Sequence, residues 1–242
     1  MSRGVFITGT DTEVGKTIVT AGLLRQLRSA GVNAATMKPV QTGAEVSSDG
    51  KLTAPDLMVH HKAAEFVATP DETVLMAPYL YEPACSPHLA GRMAGRYPDI
   101  GHITDCARQL EARYEVLLVE GAGGVYAPLT ESETMLDLMK ALGYPVLLVA
   151  HRGLGTINHT LLSIEALRTS GLNVLGVVFN EIEDVQPDFI KQDNPKAIQS
   201  FGEVAILGNI DYLTELDSKP ETAWAHFDEC TPGLKQLASL SS

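Results

Sequence analysis

The sequence contains few cysteines and no histidine or cysteine pair at metal-binding spacing. Its three cysteines, Cys85, Cys106 and Cys230, form no C-x-x-C pair, and its seven histidines form no H-x-x-x-H pair. These absences exclude the usual sequence signatures of zinc and redox sites. Because an odd number of scattered cysteines is typical of reduced thiols in the cytosol, we interpret these three as structural or incidental.

Long apolar runs and an excess of basic residues are also absent. No stretch approaches the roughly 18 apolar residues of a transmembrane helix. The first residues lack the basic and apolar regions of a secretory signal, so we expect a cytoplasmic protein. Lys and Arg number 18 against 30 Asp and Glu, which gives a formal net charge of −12. Such a charge excludes a general binder of nucleic acid or anionic membranes, although a local positive pocket can still hold a nucleotide.

Short apolar segments alternate with segments of helical periodicity along the 242 residues. Strands are predicted at 4–10, 33–40, 115–120, 145–150, 173–180 and 204–210, and helices at 17–30, 56–66, 103–113, 133–142 and 156–170. The alternation predicts an α/β fold of the P-loop NTPase type, in which a parallel sheet carries helices on both faces. Without a repeat or a linker, we expect one domain over 1–242. Prolines interrupt 68–103, and the patterns leave 181–203 and 212–242 undetermined.

A glycine-containing loop separates the first predicted strand from the first helix. Residues 9–17 read Gly-Thr-Asp-Thr-Glu-Val-Gly-Lys-Thr, with five residues between the glycines where the usual P-loop has four. Backbone N–H groups and the helix N-terminus of such a loop bind phosphate. Lys16 would reach the β- and γ-phosphates, and the hydroxyl of Thr17 would coordinate Mg²⁺. We therefore predict ATP and Mg²⁺ as cofactors.

Two acidic residues are candidates for the metal site. Residues 116–120 resemble a Walker-B strand that ends in Glu120, and magnesium takes carboxylate ligands beside phosphate oxygens. Asp56 is the weaker candidate, because an aspartate at the start of a helix usually caps that helix. Without a P-loop in the same chain, Glu120 would be interpreted equally well as a surface residue at the end of a strand.

Together with further motifs, this loop and Glu120 resemble the dethiobiotin synthetase family over residues 3–180. The motifs are residues 9–17, Lys38-Pro39-Val40 with Thr42-Gly43, Asp56, Ser86-Pro87-His88-Leu89-Ala90, Glu120-Gly121-Ala122-Gly123-Gly124, Gly155-Thr156-Ile157-Asn158-His159 and Asn180. The resemblance implies an ATP-dependent cyclo-ligase of biotin biosynthesis, which makes dethiobiotin from 7,8-diaminononanoate and CO₂ and releases ADP and phosphate. It also implies the sequence of steps: one amine becomes a carbamate, ATP phosphorylates the carbamate, and the second amine closes the cyclic urea.

The resemblance further implies a role for each matching residue. Lys16, Lys38 and Thr12 would be catalytic, because an anionic carbamate that meets a nucleotide needs concentrated positive charge. The other implied contacts are Glu13, Val14, Gly15, Lys16, Thr17 and Ile18 with the nucleotide, Asn180 with adenine, Thr17, Asp56 and Glu120 with Mg²⁺, and Thr12, Lys38 and Thr42 with the substrate. In the family a homodimer is formed, and Gly155, Thr156 and Asn158 would bind the substrate carboxylate across its interface. From the residues alone, other interpretations stay open. Lys38 could be a solvated lysine, Thr42 a turn residue, Asn180 a residue at the end of a strand, and residues 155–158 an ordinary helix cap.

Three other functions have to be distinguished. Partition-type or septum-site ATPases of the same superfamily carry an early second lysine in the loop, where this chain has Asp11. Amide-forming synthetases, such as those acting on cobyrinate, add a glutaminase domain for which 242 residues leave no room. A catalytically silent ATP-binding relative is disfavoured by the intact lysines and carboxylate. One departure from the family is that residues 208–211 (Gly-Asn-Ile-Asp) lack the proline that the family often places near the adenine.

Overall fold

A computed structural model describes residues 4–184, 189–214 and 216–234. The strands are β1 (Gly4–Gly9), β2 (Ala34–Met37), β3 (Val40–Thr42), β4 (Glu45–Val46), β5 (Leu52–Thr53), β6 (Tyr79–Tyr81), β7 (Val116–Gly124), β8 (Val146–Ala150), β9 (Val174–Asn180) and β10 (Ile206–Ile210). The helices are α1 (Lys16–Ser29), α2 (Pro55–Ala63), α3 (Pro70–Met76), α4 (Pro87–Ala94), α5 (Ile100–Glu111), α6 (Met135–Leu142), α7 (Thr156–Thr169), α8 (Phe189–Gly202) and α9 (Pro220–Cys230).

A parallel sheet forms the centre of the molecule, with the strand order β10-β9-β8-β1-β7-β2. Successive side chains of a strand point to opposite faces. On β1, Phe6 therefore packs into one core with residues of α5 and α6, whereas Val5 and Ile7 pack into the other with α1 and α9. Helices cover both faces, so the predicted α/β architecture is confirmed.

The turn from β1 into α1 requires glycine at position 15. Gly15 has a φ of +92°, which residues with a Cβ rarely adopt. A Cβ at this position would lie 2.1 Å from Nδ2 of Asn180, at the end of β9. The backbone of the loop and the end of β9 are consequently in close contact.

Two sequence predictions about the site region were wrong in detail. The strand expected at 115–120 is longer: β7 continues to Gly124, which pairs with Gly9 after a register shift. The strand expected at 33–40 ends at Met37. Beyond it, β3 pairs with β6 in a separate small sheet, and residues 45–53, for which no element was predicted, form the β4–β5 hairpin. Backbone hydrogen bonds to partners distant in sequence account for both differences.

The undetermined segments contain ordinary elements. Residues 68–103 form α3, β6 and α4, and the prolines at the first positions of α3 and α4 begin these helices and do not interrupt them. Helix α2 begins at Pro55, one residue before the expected start. Helix α9 packs on α1, where a Cβ on Gly22 would lie 2.2 Å from the Phe227 ring.

Across the described ranges, no helix has the length and apolar character needed to cross a membrane.

Candidate functional site

The phosphate loop holds a buried lysine. The ammonium of Lys16 donates to the backbone carbonyl of Asp11 at 2.8 Å, across the loop. Burial, reinforced by the charge of Lys38, lowers the pKa of Lys16 to about 8. A polyphosphate bound at this loop would supply the negative charge that favours the protonated lysine.

A cluster of charged and polar side chains lies beside the loop, just after the end of β2 and midway along β7. The Lys38 ammonium contacts Glu120 Oε1 at 2.7 Å and Asp56 Oδ2 at 2.6 Å. The Thr17 hydroxyl donates to the same Glu120 oxygen at 3.0 Å. Thus Glu120 is a buried residue with specific partners, which excludes the interpretation as a surface strand end, and Lys38 is 4% exposed, which excludes a solvated lysine.

Helix α2 contributes a histidine that completes the cluster. His60 is fully buried, and its Nε2 lies 2.7 Å from the second carboxylate oxygen of Glu120. Asp56 and His60 are four residues apart on α2 and therefore share a face of the helix. The sequence analysis did not find His60. The spacing Asp56-x-x-x-His60 on a helix was the available signal.

The cluster keeps both of its central groups charged. Burial alone would raise the pKa of Glu120, but the charge of Lys38 and the hydrogen bond with His60 outweigh it and lower the pKa. Burial alone would likewise lower the pKa of Lys38, but the carboxylates of Glu120 and Asp56 together raise it above its usual value. A buried charge is tolerated only with partners of this kind.

A cavity of about 730 Å³ opens between the loop and this cluster. Its lining brings together the predicted residues Thr12, Glu13, Gly15, Lys16, Thr17, Lys38, Thr42, Asp56 and Glu120. It also includes residues without a predicted role, namely Gln41, Ala84, Cys85, Ser86, Pro87, Ala122, Gly123 and Ala127. Segments more than a hundred residues apart in sequence thus meet in one space large enough for a small substrate and the phosphates of a nucleotide.

A second cavity of about 470 Å³ lies on the other side of Gly15. Ile18 and Asn180 line it, together with Tyr212 and Leu213 of the segment after β10. The Asn180 amide donates to the backbone carbonyl of Val14 at 3.3 Å. The Val14 side chain is buried in the core, so only the backbone of this loop residue is available for a contact with the nucleotide.

The residues at the start of α7 lie outside both cavities. Gly155, Thr156 and Asn158 are not among the residues that line either of them. Gly155 and Asn158 are exposed, whereas Thr156 is buried and its hydroxyl lies 3.3 Å from that of Thr160. Within one chain these residues do not join the other predicted site residues.

The donor set of the cluster fits a hard divalent cation. Thr17, Asp56 and Glu120 offer a hydroxyl and two carboxylates, and oxygen ligands of this type suit Mg²⁺. The Lys38 ammonium, which contacts both carboxylates, already occupies the position of a cation between them. The electrostatic requirement for positive charge is therefore built into the site.

Comparison with known proteins agrees with this geometry. The family model described as an AAA domain matches residues 3–220. The ATP-dependent dethiobiotin synthetase BioD of Halalkalibacterium halodurans is 41% identical over 215 residues, which are 88% of this chain and 86% of that protein. The ATP-dependent dethiobiotin synthetase BioD of Thermodesulfovibrio yellowstonii is 40% identical over 237 residues, which are 94% of this chain and 97% of that protein. This chain belongs to the dethiobiotin synthetase family.

The predicted resemblance to the dethiobiotin synthetase family is thereby confirmed. Among solved structures, a chain of the MinC:MinD cell division protein complex of Aquifex aeolicus has a TM-score of 0.59 at 14% identity, covering 99% of this chain and 94% of that one. The cell division ATPase MinD of Pyrococcus furiosus has a TM-score of 0.54 at 18% identity, covering 100% and 97%. Identities this low show a shared fold alone, so they do not favour the septum-site function over that of the synthetase family.

Proposed function

We propose that this chain is an ATP- and Mg²⁺-dependent cyclo-ligase that forms the cyclic urea of dethiobiotin from 7,8-diaminononanoate and CO₂, and that it releases ADP and phosphate. The observation that carries the proposal is the position of Lys38. Its ammonium is buried between two carboxylates and lines the same cavity as Lys16 of the phosphate loop. Membership of the synthetase family supplies the reaction, and the whole chain would act as one domain.

The chemistry requires two anions to be brought together. A carbamate oxygen of the substrate attacks the γ-phosphorus of ATP, the bond from that phosphorus to the bridging oxygen breaks, and ADP leaves. The second amine then attacks the carbonyl carbon of the mixed anhydride, and phosphate leaves as the ring closes. Neither step needs a side-chain nucleophile, because the carbamate and the second amine of the substrate are themselves the nucleophiles. Positioning and charge stabilisation account for most of the catalysis of the phosphoryl transfer.

Lys16 and Lys38 supply the positive charge at the point of transfer. Lys16 would bind the β- and γ-phosphates, and Lys38 would bind the carbamate and the transferred phosphoryl group. Thr12 and Thr42 line the same cavity and would hold the carbamate by hydrogen bonds. Thr12, Lys16 and Lys38 are therefore the proposed catalytic residues.

Magnesium would be held by Thr17, Asp56 and Glu120, where it would neutralise charge on the phosphates. Lys38 contacts both carboxylates, so its ammonium and the metal ion would share the same ligand oxygens. Residues 13–18 would contact the nucleotide phosphates, and Asn180 would bind adenine in the adjoining cavity beside Ile18.

The substrate carboxylate would be bound by a second subunit. Gly155 and Asn158 are exposed at the N-terminus of α7, where unsatisfied N–H groups favour an anion. Because they lie outside the cavities of their own chain, we propose that they complete the cavity of a partner in a cytoplasmic homodimer.

The proposal is tested with purified protein, Mg·ATP and bicarbonate, with and without 7,8-diaminononanoate. We expect phosphate release that depends on the diamine, a product with the mass of the cyclic urea, and loss of both in Lys16→Ala. ATP hydrolysis that is indifferent to the diamine would instead indicate a switch ATPase. ATP binding without turnover under any condition would indicate a silent relative.

A further inference from the structure

A second group of ligand-type side chains lies away from the cavity of the proposed reaction. Asp211 follows the end of β10, and His226 and Cys230 lie on α9. One donor atom from each of the three lies within 4.8 Å of the other two. Among the described residues, no other set of three Asp, Glu, His or Cys donors comes this close together.

Two of the three distances between the donor atoms are close to those of a tetrahedral metal site. Zn–S and Zn–N bonds of about 2.3 and 2.0 Å at a tetrahedral angle place sulfur and nitrogen about 3.5 Å apart. The Cys230 sulfur lies 3.6 Å from His226 Nε2. The same nitrogen lies 3.9 Å from Asp211 Oδ2, where bonds to zinc would require about 3.3 Å. A small rotation of a half-exposed side chain closes that difference.

The surroundings of the three donors resemble the outer shell of a metal site. The guanidinium of Arg152 holds the other Asp211 oxygen at 2.6 Å, which fixes the carboxylate and leaves Oδ2 toward His226. The second ring nitrogen of His226 lies 4.0 Å from a Glu229 oxygen. Metal-bound histidines commonly have a carboxylate on that side.

The positive charges next to the three donors are paired with carboxylates. Arg152 forms ion pairs with Glu181 and Asp211 at 2.9 and 2.6 Å, and Lys191 also contacts Glu181. A divalent cation would coordinate and stabilise the Cys230 thiolate.

We propose that Asp211, His226 and Cys230 bind a zinc ion that fastens α9 to the end of β10. A mixed set of thiolate, imidazole and carboxylate ligands suits Zn²⁺ better than Mg²⁺. Tyr212 and Leu213, which follow Asp211 directly, line the smaller cavity beside Asn180. The metal therefore fixes one wall of that cavity and takes no part in the proposed cyclo-ligase reaction.

The experiment is a titration of the tag-free, chelator-treated protein with Co²⁺, followed by displacement with Zn²⁺. We expect a thiolate-to-cobalt charge-transfer band that Zn²⁺ abolishes. Cys230→Ser should remove the band, and His226→Gln should weaken Co²⁺ binding at least about tenfold. Zn²⁺ should also raise the thermal midpoint of the unmodified protein and leave that of Cys230→Ser unchanged.

The chain provides a matched control. Cys106 Sγ lies 3.7 Å from His102 Nε2 on α5, with the same four-residue spacing, but within the part of the chain that the structure describes no set of three donors includes this pair. Cys106→Ser should therefore keep the cobalt band. The proposal is overturned if the unmodified protein shows no band, if Cys230→Ser keeps it, or if Cys106→Ser loses it equally. Should Cys230→Ser fail to fold, unaltered Co²⁺ affinity in His226→Gln would overturn it alone.

Discussion

Lys38 and Glu120 form a buried ion pair of 2.7 Å in which the lysine stands where a metal ion would otherwise balance the carboxylate. The same ammonium contacts Asp56. Before nucleotide binds, the single positive charge of Lys38 thus already balances part of the negative charge of the two carboxylates. This arrangement predicts that lysine and metal ion compete for the same oxygens.

Lys38→Met removes the competing ammonium. Without nucleotide, the variant should bind Mn²⁺ about tenfold more tightly than the unmodified protein, while turnover falls by about 100- to 1,000-fold because charge stabilisation at the transferred group is lost. The free Mn²⁺ signal in electron paramagnetic resonance reports the affinity. Lys62→Met, which changes an exposed lysine of α2, the helix that carries Asp56, is the control. Unchanged Mn²⁺ affinity in Lys38→Met would contradict the competition.

His60 should act as a positioning residue for Glu120. His60→Leu deletes the hydrogen bond to the second carboxylate oxygen, so the Mg²⁺ concentration for half-maximal activity should rise about tenfold. His60→Gln keeps a hydrogen-bonding group and should restore most of the metal response. A role in stability alone would lower the free energy of unfolding in His60→Leu and leave the Mg²⁺ dependence in place.

His61 should make stability depend on pH in the acidic range. Burial, followed by the charges of His60 and Arg28, lowers its pKa from 6.5 to about 4. Between these two pH values the unfolded chain binds a proton at His61 that the folded chain does not. The free energy of unfolding is therefore highest above pH 6.5, and it falls as the pH is lowered toward 4. The full difference in pKa is equivalent to about 3 kcal/mol, and because His61 is only partly buried we expect a loss of about 1–2 kcal/mol across that window. Urea unfolding of His61→Phe at several pH values should give a flatter profile.

Asn180 should govern selection of the base. Asn180→Ala removes the side-chain amide beside Gly15, and the KM for ATP should rise about tenfold, equivalent to one hydrogen bond of about 1.4 kcal/mol. The ratio of kcat/KM for ATP to kcat/KM for GTP should also fall. Asn173→Ala, just before the other end of β9, is exposed and should leave both quantities unchanged. If Asn180→Ala leaves the preference for ATP over GTP unchanged, the base is bound by other residues.

The contact between α1 and α9 should be intolerant of one added carbon. In Gly22→Ala the new Cβ would lie 2.2 Å from the Phe227 ring, so the helices must separate. The free energy of unfolding should fall by about 1–3 kcal/mol. Guanidinium unfolding measures it, and Gly22→Ala combined with Phe227→Leu should recover part of the loss. Equal stability of Gly22→Ala and the unmodified protein would mean that α9 is not seated as described.

The sequence predicted the elements of the central sheet because their signals are local. An apolar run of five or six residues that ends in glycine or an acidic residue marks a buried parallel strand. The loop at 9–17 and Glu120 could likewise be assigned because the residue types and their place after a strand determine the chemistry. These are the parts of the site that depend on the order of residues along one segment.

What the sequence did not predict depends on packing between distant segments. His60 is ordinary in its own helix and becomes informative only when β7 brings Glu120 to within 2.7 Å. Helices α8 and α9 were not predicted: α8 contains Pro195, and α9 packs through a few large residues such as Phe227. The spacing of the cysteines indicated no metal site, because Asp211 reaches Cys230 through the fold and not along the chain.

The register of β2 against β7 has a consequence for how this protein can vary. Met37 pairs with Val119, so the next positions along the two strands are Lys38 and Glu120. Side chains alternate between faces at every residue, and deletion of a single residue within β2 would turn Lys38 away from its carboxylate. Apolar residues of β2 and β7 can be replaced by other apolar residues, but the lengths of the two strands cannot change. The ion pair therefore requires a fixed register of β2 on β7, and a change in the length of either strand should abolish the proposed reaction.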